Sequence, residues 1–405
     1  MEHAERTVDV VVVGAGPAGT SAATTLARAG ADVLVVDKAT FPRDKVCGDG
    51  ITTAALRELE ELGLDPTSVA SWLDVDDLLV RSPSGREVRF PLPRERGRFA
   101  AIARRRDLDA ALVDVARAAG AAGAEGHALR DAHSGADGVV LDVEGIGSVG
   151  AAWVVGADGM WSPLRRALGL ADPGYRGEWH AFRQYFTGVS PRAGRELAVW
   201  FDADLLPGYA WSFPLPDGAA NVGFGVLRNG SYRVGDLGAV WRELLARPHV
   251  RDLLGPDARP ESPHRAWPIP ARVERTVLTG PRALFVGDAA AATDPMTGEG
   301  IGQALTTGRW AAEAIVELGE RPDEARDRYE RTVARELGVD NRLAGRLSQV
   351  LSHQLGARAA VRVAGLNDWT RRHFARWLFE DYPRAAVLTP HRWRSGMLTG
   401  PGAYR

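Results

Sequence analysis

The chain has 405 residues, 45% hydrophobic and 25% charged, with 50 Lys+Arg against 52 Asp+Glu and a net charge of -2. This is globular composition, too long for one core and without the basic excess of a nucleic-acid binder, so two packed domains and no nucleic-acid partner are expected. A lone cysteine excludes an internal disulfide and a cysteine-rich metal site and fits a reducing, cytoplasmic setting. The charged start MEHAERTVDV does not resemble a signal peptide, and no window supplies the roughly 18 apolar residues of a membrane span.

In chain order, residues 8–13 read as a strand buried on both faces, because four valines follow Asp9 and the run stops at glycine. A turn and helix over 14–30 and a second strand, ADVLVVD, over 31–37 complete a βαβ unit. TTAALRELEELGL has helical spacing with a cap at Thr52 or Thr53. Short alternating runs between Leu78 and Ile102 predict strands of a second sheet, and ARRRDLDAALVDVARAAGA predicts an amphipathic helix. Residues 126–156 predict a meander whose last strand, AAWVV, returns the chain to the first domain. From 175 to 275, Trp, Phe, Tyr and Val between turns predict a β-rich, ligand-facing sheet. ALFVGDAA is a further buried strand, GIGQALTTGRWAAEAIVEL a helix, and 321–380 a helical region.

VVVGAGPAG sets Gly14, Gly16 and Gly19 in G-x-G-x-x-G spacing between strand and helix. The first glycine permits the turn, the second admits a pyrophosphate to the helix N-terminus, and the third lets helix and strand touch. Asp37 ends the next strand where a ribose-binding acid belongs; Ala18 and Lys38 join this candidate set. A dinucleotide follows, though this motif does not separate NAD from FAD. Gly298, Gly300 and Gly302 flank another helix start, where bare N–H groups and the helix dipole suit the N1/C2=O edge of a planar ring.

Two later segments, VVGADGMWSPLRRALGL with Asp158 and Gly159 and LFVGDAAAATDPMTGEGIGQAL with Gly287, Asp288, Gly300, Ile301 and Gly302, resemble the downstream fingerprints of FAD-dependent hydroxylases and their relatives. FPRDKVCGDGI, with Pro42, Lys45, Cys47 and Gly48, and GYAWSFPLPDGAANVGFG, with Tyr209, Trp211, Phe213, Pro214, Gly223 and Gly225, are similar to paired motifs of the geranylgeranyl reductase family. ARRRDLDAAL resembles that family's R-x-x-F-D-x-x-L helix start, with Leu108 in place of Phe. It supplies a flavin-contacting arginine, Arg105, in a register left open among Arg104, Arg105 and Arg106. The resemblance implies an α/β fold: a Rossmann-like FAD-binding domain of the glutathione-reductase type (1–75, 100–170, 276–320), an interleaved β-sheet substrate domain (76–99, 171–275) and a helical C-terminal region (321–405).

It also implies an activity, the saturation of C=C bonds in an isoprenoid or other apolar substrate by reduced flavin. Cys47, Tyr209 and Trp211 would serve the chemistry, and Trp211, Phe213, Pro214, Gly223 and Gly225 the substrate. Cys47 is read either as an inert buried thiol or as a group near the flavin with a lowered pKa. No second nucleotide motif is present, so the electron donor is external: NAD(P)H, reduced flavin or ferredoxin. Alternatives on the same fold are a monooxygenase or halogenase-like tailoring enzyme, and a non-catalytic FAD-dependent scaffold or lipid carrier. Scattered histidines show no ligand spacing, so no metal is expected. The late basic cluster Arg371, Arg372, Arg376, Arg384, His391, Arg392 and Arg394, interleaved with Trp and Leu, allows peripheral membrane contact.

Overall fold

The computed structural model describes residues 4–405. Its first sheet forms around β1 (Arg6–Val13), which pairs in parallel with β2 (Val33–Asp37) on one side and β11 (Gly147–Gly156) on the other. β8 (Ala122–Glu125) and β19 (Ala283–Phe285) extend it in parallel, and β18 (Thr279–Gly280) closes one edge. Both faces of β1 are covered, which explains its unbroken valines. Val10 and Val12 pack with α1 (Pro17–Arg28), α7 (Ile301–Leu318) and Tyr329 of α8 (Pro322–Glu336). Val11 and Val13 pack with α4 (Pro163–Ala167) and with the hairpin of β9 (Leu129–Ser134) and β10 (Val139–Val143). The predicted meander is thus part of this sheet, since β10 pairs antiparallel with the first half of β11.

Helices α1 and α7 touch backbone to backbone. A Cβ on Gly308 would stand 2.1 Å from the Ala18 carbonyl oxygen, and Ser21 Oγ donates to Leu305 O at 2.7 Å. Only small residues permit that approach.

The second sheet runs β16 (Arg259–Pro260), β12 (Trp179–Thr187), β15 (Ala219–Leu227), β14 (Tyr209–Leu215), β13 (Leu197–Trp200), β5 (Asp77–Arg81), β6 (Glu87–Pro91), with β17 (Arg265–Ile269) also on β12. β5 and β13 are parallel, so residues 77–91 join the sheet of 179–269. The segment expected to be β-rich also contains two helices, α5 (Leu237–Ala246) and α6 (Pro248–Leu254). Leu237, Val240, Trp241 and Leu244 of α5 cover one face of this sheet through Phe182, Phe224 and Trp200. The opposite face meets α10 (Gln354–Ala364) and α11 (Asp368–Leu378). A small third sheet, β3 (Gly50–Ile51), β7 (Ala101–Ile102) and β4 (Leu73–Asp74), joins the two layers beside α2 (Thr53–Glu61) and α3 (Arg105–Ala118). α9 (Gly338–Leu351) leads into α10. No described helix is long and apolar enough to cross a membrane.

Candidate active site

One cavity of about 800 Å³ runs from the β1–α1 turn to the face of the second sheet. At its first end the chain turns at Gly14, with φ of +105°, and α1 begins with no side chain capping its first amides. Asp37 Oδ2 accepts from Ala15 N and Oδ1 from Ala39 N, both at 2.8 Å, so this acid also braces the turn. A Cβ on Gly16 would face the guanidiniums of Arg43 and Arg105, at 3.5 and 4.0 Å. Both cations are held by the fully buried Asp109: Arg105 bidentately at 2.7 and 2.8 Å, Arg43 at 2.9 Å. Of the three arginines left open, Arg105 lines the cavity, whereas Arg104 turns away to Glu261 and Arg106 is exposed. Free helix amides, a glycine without Cβ and two fixed guanidiniums fit a pyrophosphate. Arg43 was missed; its signal was its place in FPRDK beside Lys45.

Further along, Asp158 Oδ2 accepts from Leu164 N at 2.9 Å while Oδ1 is buried without a partner. Burial pushes that carboxyl up to about 6. An enclosed, unsatisfied acceptor beside Gly159 suits a ligand hydroxyl. Asp288 lies 3.6 Å from Lys45 Nζ, which rests over the Trp267 ring at 4.3 Å. Burial lowers the Lys45 pKa, against the opposing pull of Asp288.

The start of α7 departs from expectation. Its amides are not bare: Glu299 Oε1 accepts from Ile301 N and Gly302 N, each at 3.0 Å. Gly300 and Ile301 line the cavity, whereas Gly302 does not.

Cys47 sits on the loop before β3 and lines the cavity. Its expected lowered pKa is corrected: the protein encloses the thiol, and desolvation pushes it up against the pull of Arg105. A neutral thiol results. Cβ atoms on Gly48 and Gly50 would lie 3.4 and 3.3 Å from the Phe213 ring, so the loop rests directly on β14. Tyr209, Trp211 and Phe213 share one face of that strand at ring spacings of 5.9 and 6.0 Å, as the period of two requires. Tyr209 Oη donates to Thr297 O.

A buried polar hub ties loop to sheet. Asn221 Nδ2 donates to Cys47 O at 2.9 Å and to Asp49 Oδ2 at 2.8 Å, and its Oδ1 accepts from Trp211 Nε1 at 3.1 Å. Tyr185 Oη donates to Asp49 Oδ2 at 2.7 Å, with its ring between Arg183 at 4.0 Å and Arg104 at 4.4 Å. Asp49 is fully buried with φ of +67°. Sequence reasoning passed over Asp49, Tyr185 and Asn221, although Asp49 and Asn221 stand inside the two quoted motifs.

Beyond the aromatic strand the cavity is apolar, walled by Leu78, Leu197 and Val199 of the sheet and by Leu347, Leu351, Val361 and Phe374 of the C-terminal helices. Gly225 lines it. Gly19, Pro214 and Gly223 do not: Gly19 lies under the Gly14 carbonyl, Pro214 is in the sheet opposite Ala220, and Gly223 lies beneath the Trp211 ring. These three act through packing. No metal-ligand cluster occurs among the described residues.

The chain matches the FAD binding domain family over residues 7–336. It is 38% identical over 339 residues to the menaquinone reductase of Mycolicibacterium smegmatis, covering 77% of each chain. It is 35% identical over 360 residues to digeranylgeranylglycerophospholipid reductase 2 of Methanopyrus kandleri, covering 85% of this chain and 86% of the other. Among solved structures, a geranylgeranyl bacteriochlorophyll reductase-like protein from Thermoplasma acidophilum superposes with a TM-score of 0.79 at 21% identity, over 96% of this chain and all of that one. A mutant of the halogenase PltM in complex with FAD gives 0.71 at 19% identity, over 96% of this chain and 85% of that one. These two likenesses bear on fold alone. The family match and the sequence relatives make the chain an FAD-dependent oxidoreductase of the geranylgeranyl reductase family.

Proposed function

We propose that this chain saturates a C=C bond in the polyprenyl tail of a lipid, with a prenylated quinone as the first substrate class to test. The observation that carries this reading is the single cavity joining the phosphate turn to an apolar chamber, with the Cys47 thiol between them. Bound FAD, once reduced by an external donor of the NAD(P)H, reduced-flavin or ferredoxin class, supplies the hydride. Trp211 and Phe213 hold the chain against the sheet, and the apolar walls keep water from the site. The neutral Cys47 thiol is the proton source for the second alkene carbon, and its elevated pKa keeps it loaded at neutral pH. Arg105, on the buried Asp109, remains a fixed charge beside that thiol.

The test is anaerobic. Reduced holoenzyme mixed with menaquinone is expected to reoxidise and yield a product heavier by about two mass units, a gain that persists after air returns any quinol headgroup to the quinone. Cys47→Ser should slow that step on the order of 100-fold while leaving the flavin spectrum in place. No reoxidation by any prenyl lipid, or a product gaining about sixteen mass units only in air, overturns the reading.

The same reading places the C-terminal helices at a lipid surface. Val350, Leu355, Val363, Leu366, Trp369, Val387, Leu388, Trp393 and Leu398 are exposed, against four such large apolar residues elsewhere among the described residues. Arg342, Arg346, Arg358, Arg362, Arg372 and Arg394 stand exposed among them. The basic cluster is smaller than its sequence suggests, because Arg376, Arg384 and Arg392 pair with Asp381, Asp294 and Asp340. Apolar side chains ringed by arginine suit an anionic bilayer. Leu355→Asp combined with Trp369→Asp should weaken co-sedimentation with anionic vesicles on the order of tenfold. Unchanged sedimentation refutes the contact.

A further inference from the structure

Two amides at the start of α7 are the donors on which a planar ring edge would be received, and in this protein Glu299 already occupies them. The surroundings of that carboxyl are short of positive charge. Glu380 and Asp294 are packed beside it, and Arg384 is the one guanidinium between them. Arg384 Nε donates to Asp294 Oδ2 at 2.7 Å and Nη2 to Glu380 Oε1 at 3.1 Å; neither reaches Glu299. Thr52 Oγ1 and Gln303 Nε2 also donate to Glu380, at 3.2 and 3.0 Å. Across the cavity Glu299 faces the Cys47 thiol and the Tyr209 hydroxyl, neither of which brings a cation. The buried Asp294 and the half-buried Glu299 and Glu380 thus share one arginine, and negative charge on Glu299 is balanced only by two N–H dipoles and the positive end of α7.

A cofactor carbonyl arriving at those amides competes for the same two donors. A carboxylate that loses both, inside an enclosed site with Glu380 and Asp294 alongside, cannot remain charged without a large desolvation cost. We propose that Glu299 is a proton-linked gate for FAD: loading the cofactor lifts its carboxyl off the α7 amides, and that carboxyl takes one proton from solvent. This rests on the assignment of the α7 start to the ring. The balance is one FAD and one proton bound, with no redox change. Burial and then Glu380 already push the Glu299 carboxyl up to about 8 in the empty protein, so it is charged, and free to take up the proton on loading, only above that pH.

The sign follows from linkage. If the bound state holds the proton more tightly, affinity rises as pH falls, by at most about tenfold per pH unit. FAD release from the holoenzyme should therefore be level below about pH 8 and speed up above it, roughly within that limit. Titration of full-length stripped protein with FAD above about pH 8, in two buffers of different ionisation enthalpy, should show net proton uptake. Glu299→Gln should abolish the uptake and flatten the pH dependence of release, and Glu299→Ala should do the same while leaving the amides open. FAD that binds with pH-independent release in the native protein, or a slope that survives both substitutions, overturns the gate while the cofactor assignment stands. Protein that takes up no FAD at any pH overturns both.

Discussion

Gly16→Ala is expected to give a folded protein that has lost its colour. Gly16 has φ of -78° and ψ of -175°, a backbone any residue adopts, and the nearest atom to an added Cβ is an arginine tip 3.5 Å away. The protein itself therefore tolerates the methyl group. The space it fills lies between the α1 amides and the Arg43 and Arg105 guanidiniums, where a phosphate oxygen must come. Affinity for FAD should fall at least 100-fold, about 3 kcal/mol, with the melting temperature of the stripped protein nearly unchanged. Gly19→Ala makes the contrast: its Cβ would stand 1.8 Å from the Gly14 carbonyl oxygen, so helix and strand must part and soluble yield should collapse. Absorbance of purified protein and thermal melts separate the two. Native FAD affinity in the Gly16 variant removes the phosphate assignment.

Asp49→Ala should be the most damaging polar substitution near the site. It strips the acceptor from Tyr185 Oη and from Asn221 Nδ2, and leaves Arg183 and Arg104 stacked on a phenol with no carboxylate beyond it. A loss of roughly 3–5 kcal/mol is expected, together with poor turnover because Asn221, which ties the Cys47 loop to Trp211, loses the carboxylate that fixes its amide. Asp49→Asn carries the pH signature. Burial raises this carboxyl from 3.8 to about 6. The folded state then binds its proton more tightly than the unfolded one, so this group's contribution to stability falls as pH rises from about 4 to 6, by about 3 kcal/mol, and is level above. The asparagine variant should lack that falling limb. Parallel melting curves of native and variant protein across this range contradict the shift.

What was legible in the chain was local. The β1–α1–β2 unit announces itself because glycine spacing and buried valines are consequences of contacts within about thirty residues. The two-residue period of Tyr209, Trp211 and Phe213 likewise fixes one face of a strand. Helix α5 could have been found, since Leu237, Val240, Trp241 and Leu244 fall at i, i+3, i+4 and i+7; the aromatic content of its neighbours masked it. The hub around Asp49 could not. Its partners Tyr185 and Asn221 lie 136 and 172 positions away, and only the return of the chain from sheet to loop brings them together. Glu299 shows the other limit: three alternate glycines predict open amides, and nothing in their spacing says that the acid among them folds back onto its own helix.

The contact between Gly308 and Ala18 turns the two helices into a caliper. One jaw begins at Pro17, the other at Ile301, and neither slides without breaking a seam that has no side-chain play. The gap between the jaws is a fixed length set by the core. A ligand would thereby be measured as well as bound: a full dinucleotide would span from jaw to jaw, whereas a mononucleotide would reach one and leave the other gripping nothing.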